Sequence, residues 1–156
     1  MTVHTAALRS EFLWSAHIDV EGFYEVGKTF RGTRTIVRVK GGWFEGPEVR
    51  GTILPGTGDW FLVRPDGTGE GDVRDTYQTD DGAIIYVSYR GILDISQDVW
   101  ARIGAGEDVP PSEYYLRGQP MFETGSEKYD WLNRIVSVSV GKQEALGVTY
   151  DVFRIL

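Results

Sequence analysis

Hydrophobic and polar positions alternate with a period of two along most of the chain, which is typical of half-buried β-strands. The alternation is clearest over 33–39, 83–91 and 134–140. Clusters of Gly, Asp and Pro separate these runs and mark turns. We predict eight to ten strands in segments 10–20, 33–39, 43–54, 59–65, 72–79, 83–91, 113–122, 134–140 and 148–156.

Turn residues define how some of these strands connect. Asp80-Asp81-Gly82 predicts a short hairpin between 72–79 and 83–91. Gly41-Gly42 predicts a tight turn or a bulge, since glycine tolerates positive φ. Segment 21–31 shows no alternation and is expected to be an irregular connection.

A single segment, 95–104, has helical spacing. It places Ile95, Val99 and Ile103 on one face, and Asp94 or Ser96 can cap its first turn. The sequence leaves open whether this helix plugs a barrel end or covers a sheet.

Strands spaced by roughly 8–12 residues predict either a sandwich or a barrel. A closed barrel leaves no exposed edge, and about eight strands leave room inside for side chains or one small ligand. We therefore predict an all-β fold: one antiparallel β-barrel domain over 1–156, with one short helix and with residues 1–9 fraying.

Composition narrows the range of partners and cofactors. The net charge of −7 argues against nucleic acid and against an anionic membrane surface. The chain has no cysteine and two histidines, His4 and His17, so we expect neither a metal nor another cofactor. It lacks a basic region followed by an apolar run, so we expect no signal peptide and a cytoplasmic location.

Four phrases together resemble one known family: GGWFEGPEVRGTILPGTGDW, DDGAIIYVSYRG, PSEYYLRGQPMFETG and KYDWLN. The chain is similar, from about residue 12 to its end, to domain-of-unknown-function family 3237, also called uncharacterised protein family 0311. The resemblance implies a small barrel with a lipocalin-like shape that often forms homo-oligomers. The chain departs from that family's pattern at Asp75, where Tyr is common, and at Tyr89, where Asn is common.

Asp59 is the first candidate for catalysis, because it begins a strand beside Trp60. An aromatic wall partly desolvates a carboxyl group and raises its pKa towards values useful in acid–base chemistry. Tyr86 is then expected to donate a hydrogen bond and Arg90 to stabilise developing negative charge. The alternative is that Asp59 accepts hydrogen bonds from the turn backbone after Gly58.

Further aromatic and polar residues are expected to bind the substrate: Trp60, Arg74, Tyr115, Arg117, Trp131 and Asn133. Simpler roles remain open, namely a solvated Arg74, a core Trp131 and an Asn133 bonded to the backbone. The sequence also leaves undecided which face of 83–91 points inward. Tyr86 and Arg90 would point into a polar cavity, whereas Ile85 and Val87 would point into a solid core.

Three functions are compatible with this pattern. The first is a cofactor-independent enzyme of the isomerase, cyclase, hydratase or lyase type that acts on a small apolar or aromatic oxygenated compound. The second is a carrier that binds a small hydrophobic ligand without turnover. The third is a structural subunit with a filled interior, which a cavity larger than roughly 300 Å³ would argue against.

Overall fold

Nine antiparallel strands form one continuous sheet in the computed structural model, which describes residues 6–156. Residues 1–5, which include His4, lie outside the described residues, and so does most of the segment 1–9 for which fraying is predicted. The strands are β1 (Ser10–Thr29), β2 (Gly32–Glu45), β3 (Arg50–Ile53), β4 (Gly58–Val63), β5 (Gly69–Thr79), β6 (Ile84–Asp94), β7 (Tyr115–Glu123), β8 (Ser137–Glu144) and β9 (Gly147–Ile155).

The sheet closes on itself, which confirms the predicted barrel. Its order is β1-β9-β8-β7-β6-β5-β3-β2-β4, and β1 also pairs with β2. Strands β3 and β4 both pair with β2 and with β5, so they occupy one position in succession. The result is a ring of eight strands.

The first two strands are longer than the sequence pattern predicts. The irregular connection expected at 21–31 is wrong, because β1 continues to Thr29 in register with β2. Register shifts fall at Asp19/Val20, Val20/Gly22 and Glu25/Gly27. At the last two, the unpaired residue is on β1 (Glu21 and Val26), and each of these bulges exchanges the faces of the β1 side chains that follow it. The period of two is therefore lost although the strand persists. The bulge predicted near Gly41 is present, with φ at +140°.

On β8 the inward face is the polar one. Ser137 and Ser139 are fully buried, whereas Val136 and Val138 are exposed. The Ser137 hydroxyl donates a hydrogen bond of 2.5 Å to the carbonyl oxygen of Pro120. Serine is small enough to face the glycine row described below, so close strand packing here overrides the hydrophobic pattern.

The ends of the barrel are covered by helical segments. Helix α1 spans Gln97–Gly104, and the Ser96 side chain accepts a hydrogen bond from the Val99 amide, as one of the two predicted caps. Its Val99 and Ile103 side chains are buried in a small apolar cluster with Leu93 and Leu116. Within residues 6–156 no helix is both long and apolar enough to cross a membrane.

One half of the interior is a packed aromatic core. Trp14 packs at 4.8 Å from Phe122 and 5.4 Å from Phe44, measured between ring centroids, and Phe44 lies 4.8 Å from Tyr77. The 3₁₀ helix Glu127–Arg134 adds Tyr129 and Leu132 to this core. The opposite half is hollow.

Replacing Trp14 by Ala should destabilise the barrel strongly. Its side chain is fully buried among three aromatic rings, and truncation of a buried aromatic costs roughly 3–5 kcal/mol. Trp43→Ala is the matched control, since Trp43 is about half-exposed and should cost far less. Urea unfolding of both variants measures the difference, and equal losses would contradict the assignment of the core.

Candidate functional site

The hollow half of the barrel contains a cavity of about 320 Å³. This volume lies at the lower end of the range, roughly 300–1,000 Å³, found for small-molecule sites. Most of the wall is apolar, with contributions from Ile18, Val37, Phe61, Val73, Leu93 and Leu116. The charged residues that border it are Glu25, Asp59, Asp75 and Arg117.

A row of small residues explains why this half is empty. Gly71 on β5 pairs with Gly91 on β6, which pairs with Gly118 on β7, and Gly118 pairs with Ser139 on β8. All three glycines line the cavity. A methyl group on Gly118 would lie 2.6 Å from the Ser139 Oγ, so the close packing of β7 and β8 requires glycine at that position.

Asp59 lies on β4 and directs its carboxyl group into the cavity. The Asp72 amide donates a hydrogen bond of 2.8 Å to Asp59 Oδ1. Burial raises the pKa of Asp59 to about 6, although that hydrogen bond opposes the rise. A carboxyl group in this state exchanges a proton near neutral pH.

Asp75 is the most deeply buried charged residue of the site, at 1% exposure. The Thr57 hydroxyl donates a 2.9 Å hydrogen bond to Asp75 Oδ1. The second oxygen, Oδ2, has no hydrogen-bond partner among residues 6–156. Burial raises the pKa of Asp75 to about 7, and the nearby charge of Asp59 adds to the rise. Buried polar atoms are rarely left unpaired, and an oxygen without a partner at this depth favours the protonated, neutral form of Asp75.

The two carboxyl groups face the same interior from neighbouring strands. Asp59 pairs with Val73 on β5, and Asp75 is two residues further along the same face. Such diagonal neighbours are separated by about 7–8 Å. Because they interact, the two groups titrate as a pair rather than independently.

Two tyrosines complete the polar part of the wall. Tyr89 and Tyr150 pack edge to face, with 5.4 Å between ring centroids. Burial raises the pKa of both hydroxyl groups above the usual range, so they remain protonated hydrogen-bond donors near neutral pH.

Glu25, Thr35 and Trp100 contribute polar and partly exposed groups to the wall. The Thr35 hydroxyl donates to Glu25 Oε2 at 3.1 Å, and both residues line the cavity. Trp100 of α1 also lines the cavity and is about 39% exposed. We place the mouth of the cavity here, where the lining side chains are reached by solvent.

Two of the predicted site residues border the cavity. Asp59 does so with its carboxyl group. The guanidinium of Arg117 instead lies over the half-exposed Tyr115 ring at 4.9 Å and donates to the carbonyl oxygen of Leu116 at 2.9 Å. The carboxyl group of Asp59 therefore borders the cavity, whereas the guanidinium of Arg117 is held by Tyr115 and the Leu116 carbonyl.

Five further predicted residues lie on the outer wall: Trp60, Arg74, Tyr86, Arg90 and Tyr115. Arg74 lies over the Trp60 ring at 5.5 Å and pairs with Asp72, and the Arg90 side chain is 79% exposed. On β6, Ile85, Val87 and Tyr89 face inward, so of the two faces left open by the sequence it is the apolar one that lines the interior.

The last two predicted residues have structural contacts. Trp131 packs against the aromatic core, with the Arg154 guanidinium 5.5 Å from its ring. Asn133 accepts a hydrogen bond from the Thr124 amide at 2.8 Å and donates one to the Thr124 carbonyl at 2.9 Å. These are the two simpler roles considered in the sequence analysis.

Sequence reasoning did not select Asp75, Tyr89 and Tyr150 as site residues. A signal for Asp75 exists, because it lies between Val73 and Tyr77 on the inward face of β5 and interrupts an otherwise apolar row. Asp75 and Tyr89 are also the two positions where the sequence leads us to expect a departure from the family's pattern. Both line the cavity.

Fold and cavity together define a closed antiparallel barrel with a half-filled interior and a pair of buried carboxyl groups. The profile of the family described as "Protein of unknown function (DUF3237)" matches residues 8–155. The chain belongs to this family, as its sequence phrases indicated.

Similar proteins share the whole barrel. The UPF0311 protein RPA1785 of Rhodopseudomonas palustris is 30% identical over 97% of this chain and 99% of that protein, and its crystal structure superposes with a TM-score of 0.91. A beta-barrel like protein from Acinetobacter baumannii is 32% identical, with a TM-score of 0.85 over 99% of this chain and all of that chain.

One relative carries the name of a reaction. The protein named Hydroalkoxylation enzyme phnH, from Penicillium herquei, is 28% identical over 128 residues, which is 81% of this chain and 70% of that protein. The crystal structure of an enzyme from the same fungus superposes with a TM-score of 0.74 at 23% identity over both full chains, a likeness that shows the fold alone.

Asp75→Asn should stabilise the protein at alkaline pH and leave it unchanged in acid. The pKa of Asp75 is about 7 in the fold against 3.8 ordinarily, so the fold holds the proton more tightly than the unfolded chain. The stability that this bound proton gives the wild-type fold is fully present below pH ~4 and is lost as pH rises through 7. At pH 8 the variant should gain roughly 2–4 kcal/mol in free energy of unfolding. Urea titrations at several pH values test this, and a variant less stable at pH 8 would contradict the raised pKa.

Gly71→Ala should raise the pKa of Asp59 further. The new methyl group would lie 3.5 Å from Asp59 Oδ2, an ordinary contact distance, so the barrel should fold while water is displaced from the carboxyl group. Carbon-13 NMR titration of the aspartate side chains measures the change. Gly82→Ala is unsuitable as a control, because Gly82 has φ of +89°; Gly104→Ala, with open space around it, is suitable.

Proposed function

We propose that this chain is a cofactor-independent acid–base enzyme that acts on a small apolar or aromatic oxygenated compound inside the barrel. The observation that carries the proposal is the buried pair Asp59 and Asp75, with pKa values raised to about 6 and 7 within an otherwise apolar cavity. A structural core has no need of two desolvated carboxyl groups, whereas proton transfer near neutral pH requires them.

The hydrogen bonds to the two groups assign them different roles. Asp75 keeps its proton to higher pH. Thr57 holds Oδ1, and the proton lies on Oδ2, which a substrate reaches only when the side chains that cover it move. Asp59 ionises first, and the Asp72 amide stabilises its carboxylate. Asp75 is therefore the general acid and Asp59 the general base.

These roles fit addition of a hydroxyl group across a carbon–carbon double bond. Asp59 removes the hydroxyl proton, the oxygen bonds to one alkene carbon, and the Asp75 proton passes to the other carbon. Electrons and protons balance with no redox partner, and a second proton transfer from Asp59 to Asp75 through solvent resets the pair. The relative named for hydroalkoxylation supports this class of reaction, and its reversal or an isomerisation uses the same two groups.

A non-catalytic carrier is the second candidate. The apolar wall formed by residues such as Val37, Phe61 and Leu93 suits a hydrophobic ligand without turnover. The positions of Arg74 and Arg90 favour this alternative, because neither guanidinium faces the cavity to stabilise an oxyanion.

A panel of ortho-alkenyl phenols, incubated with the protein and separated by chromatography, tests catalysis. We expect cyclic ether products, and Asp59→Asn and Asp75→Asn should each lower kcat/KM by roughly 10²–10⁴-fold. Asp94→Asn, at an exposed carboxyl group on β6, is the matched control and should retain activity. Equal turnover by all variants would remove both carboxyl groups from the mechanism.

The pH profile provides a further check of the same reaction. One group must be protonated and the other ionised, so kcat/KM should be bell-shaped with its maximum between the two values of about 6 and 7. Ligand binding with no turnover of any substrate in the panel would favour the carrier instead.

A further inference from the structure

We propose that the barrel cavity favours uncharged ligands over anions, and that its carboxyl groups reject fatty acids and other carboxylates. This inference rests on the proposed function only in that both place the ligand in the same cavity. It concerns which molecules enter, whether or not they react.

The charge balance of the wall carries the first part of the inference. Three carboxyl groups, on Glu25, Asp59 and Asp75, border a space of about 320 Å³. The one cation that borders it, Arg117, has its guanidinium over the Tyr115 ring and bonded to the Leu116 carbonyl. A buried anion needs a charge or hydrogen-bond partner to offset its desolvation, and the described lining supplies no such cation.

Nearby arginines are held on the outside of the barrel. Arg74 pairs with Asp72 at 3.3 Å, and Arg90 approaches the same carboxylate at 3.8 Å. Arg34 donates a hydrogen bond to the backbone carbonyl of Trp60. Each guanidinium would have to leave its partner and cross the sheet to reach a ligand, so these charges do not compensate an anion inside.

The depth of Asp75 carries the second part. The side chain is 1% exposed, and its Oδ2 atom has no hydrogen-bond partner among residues 6–156. No donor of the described residues therefore offsets a charge on Oδ2, and a second anion in the adjoining cavity would be repelled without compensation. Tyr89, on the neighbouring strand β6, and Tyr150 on β9 remain protonated and bring no charge.

The protonation of Asp59 and Asp75 also depends on the titratable and charged groups around them. The groups whose pKa values are linked to theirs by charge or by hydrogen bonding are Asp72 and Tyr77 on β5, Arg34 on β2, Tyr89 on β6 and Tyr150 on β9. Glu25 on β1 borders the same space. His17 on β1 bonds to Thr149 and Asp19 and remains unchanged in the variants below.

Two fluorescent probes that differ by one sulfonate test the selection. N-phenyl-1-naphthylamine is neutral, and 1-anilinonaphthalene-8-sulfonate is its anionic counterpart. At pH 8 we expect the neutral probe to bind at least tenfold more tightly, the rough effect of one like charge a few ångströms away in a partly polar interior. The preference should shrink towards pH 5 as Asp59 and Asp75 take up protons.

Variants identify the groups responsible. The double variant Asp59→Asn/Asp75→Asn should bind both probes with a ratio that is independent of pH between 5 and 8, and Asp94→Asn should behave as wild type. Thermal unfolding and circular dichroism establish that each variant folds. Should the double variant fail to fold, Asp75→Asn alone should reduce the pH dependence by about half.

Several results would overturn the inference. They are equal binding of both probes at pH 8, a ratio unaffected by the double substitution, or binding of neither probe. Charge-selective binding without turnover would instead support this inference and refute only the enzyme. Turnover of a carboxylate substrate would refute the selection and leave the enzyme.

Discussion

Closure of the sheet through the pairing of β1 with β2 is the constraint on which the rest of this structure depends. A closed ring of eight strands has a fixed interior, and the side chains that point inward decide how much of it is filled. Trp14, Phe44 and Tyr77 fill one half. Opposite the glycine row of Gly71, Gly91 and Gly118, nothing large projects inward and the cavity remains.

The position of the cavity explains the chemistry of its carboxyl groups. Asp75 borders the hollow beside the aromatic core, and only 1% of its surface is exposed, so its carboxyl group is strongly desolvated. Asp59, two strand positions away, keeps a backbone hydrogen bond and ionises at lower pH. Burial and hydrogen bonding thus give two chemically identical groups different pKa values, about 6 for Asp59 and about 7 for Asp75.

Sequence patterns located the hairpin at Asp80–Gly82, the helix near Val99 and the all-β fold, because these depend on local spacing and turn chemistry. They failed where tertiary packing reverses the local preference. The valines of β8 face outward because glycine and serine are needed where β7 and β8 approach. The sequence pattern did not predict the second half of β1, because bulges break the alternation without ending the strand.

By itself, the sequence determined a barrel of antiparallel strands and its family, and it selected one residue, Asp59, that lies in the cavity wall. Only the tertiary structure decided which face of each strand points inward, since a shift of one residue exchanges the two faces completely. That choice moved Tyr86 and Arg90 to the outer wall and brought Asp75, Tyr89 and Tyr150 together inside. Strand register and ring closure are long-range properties, and no local pattern encodes them.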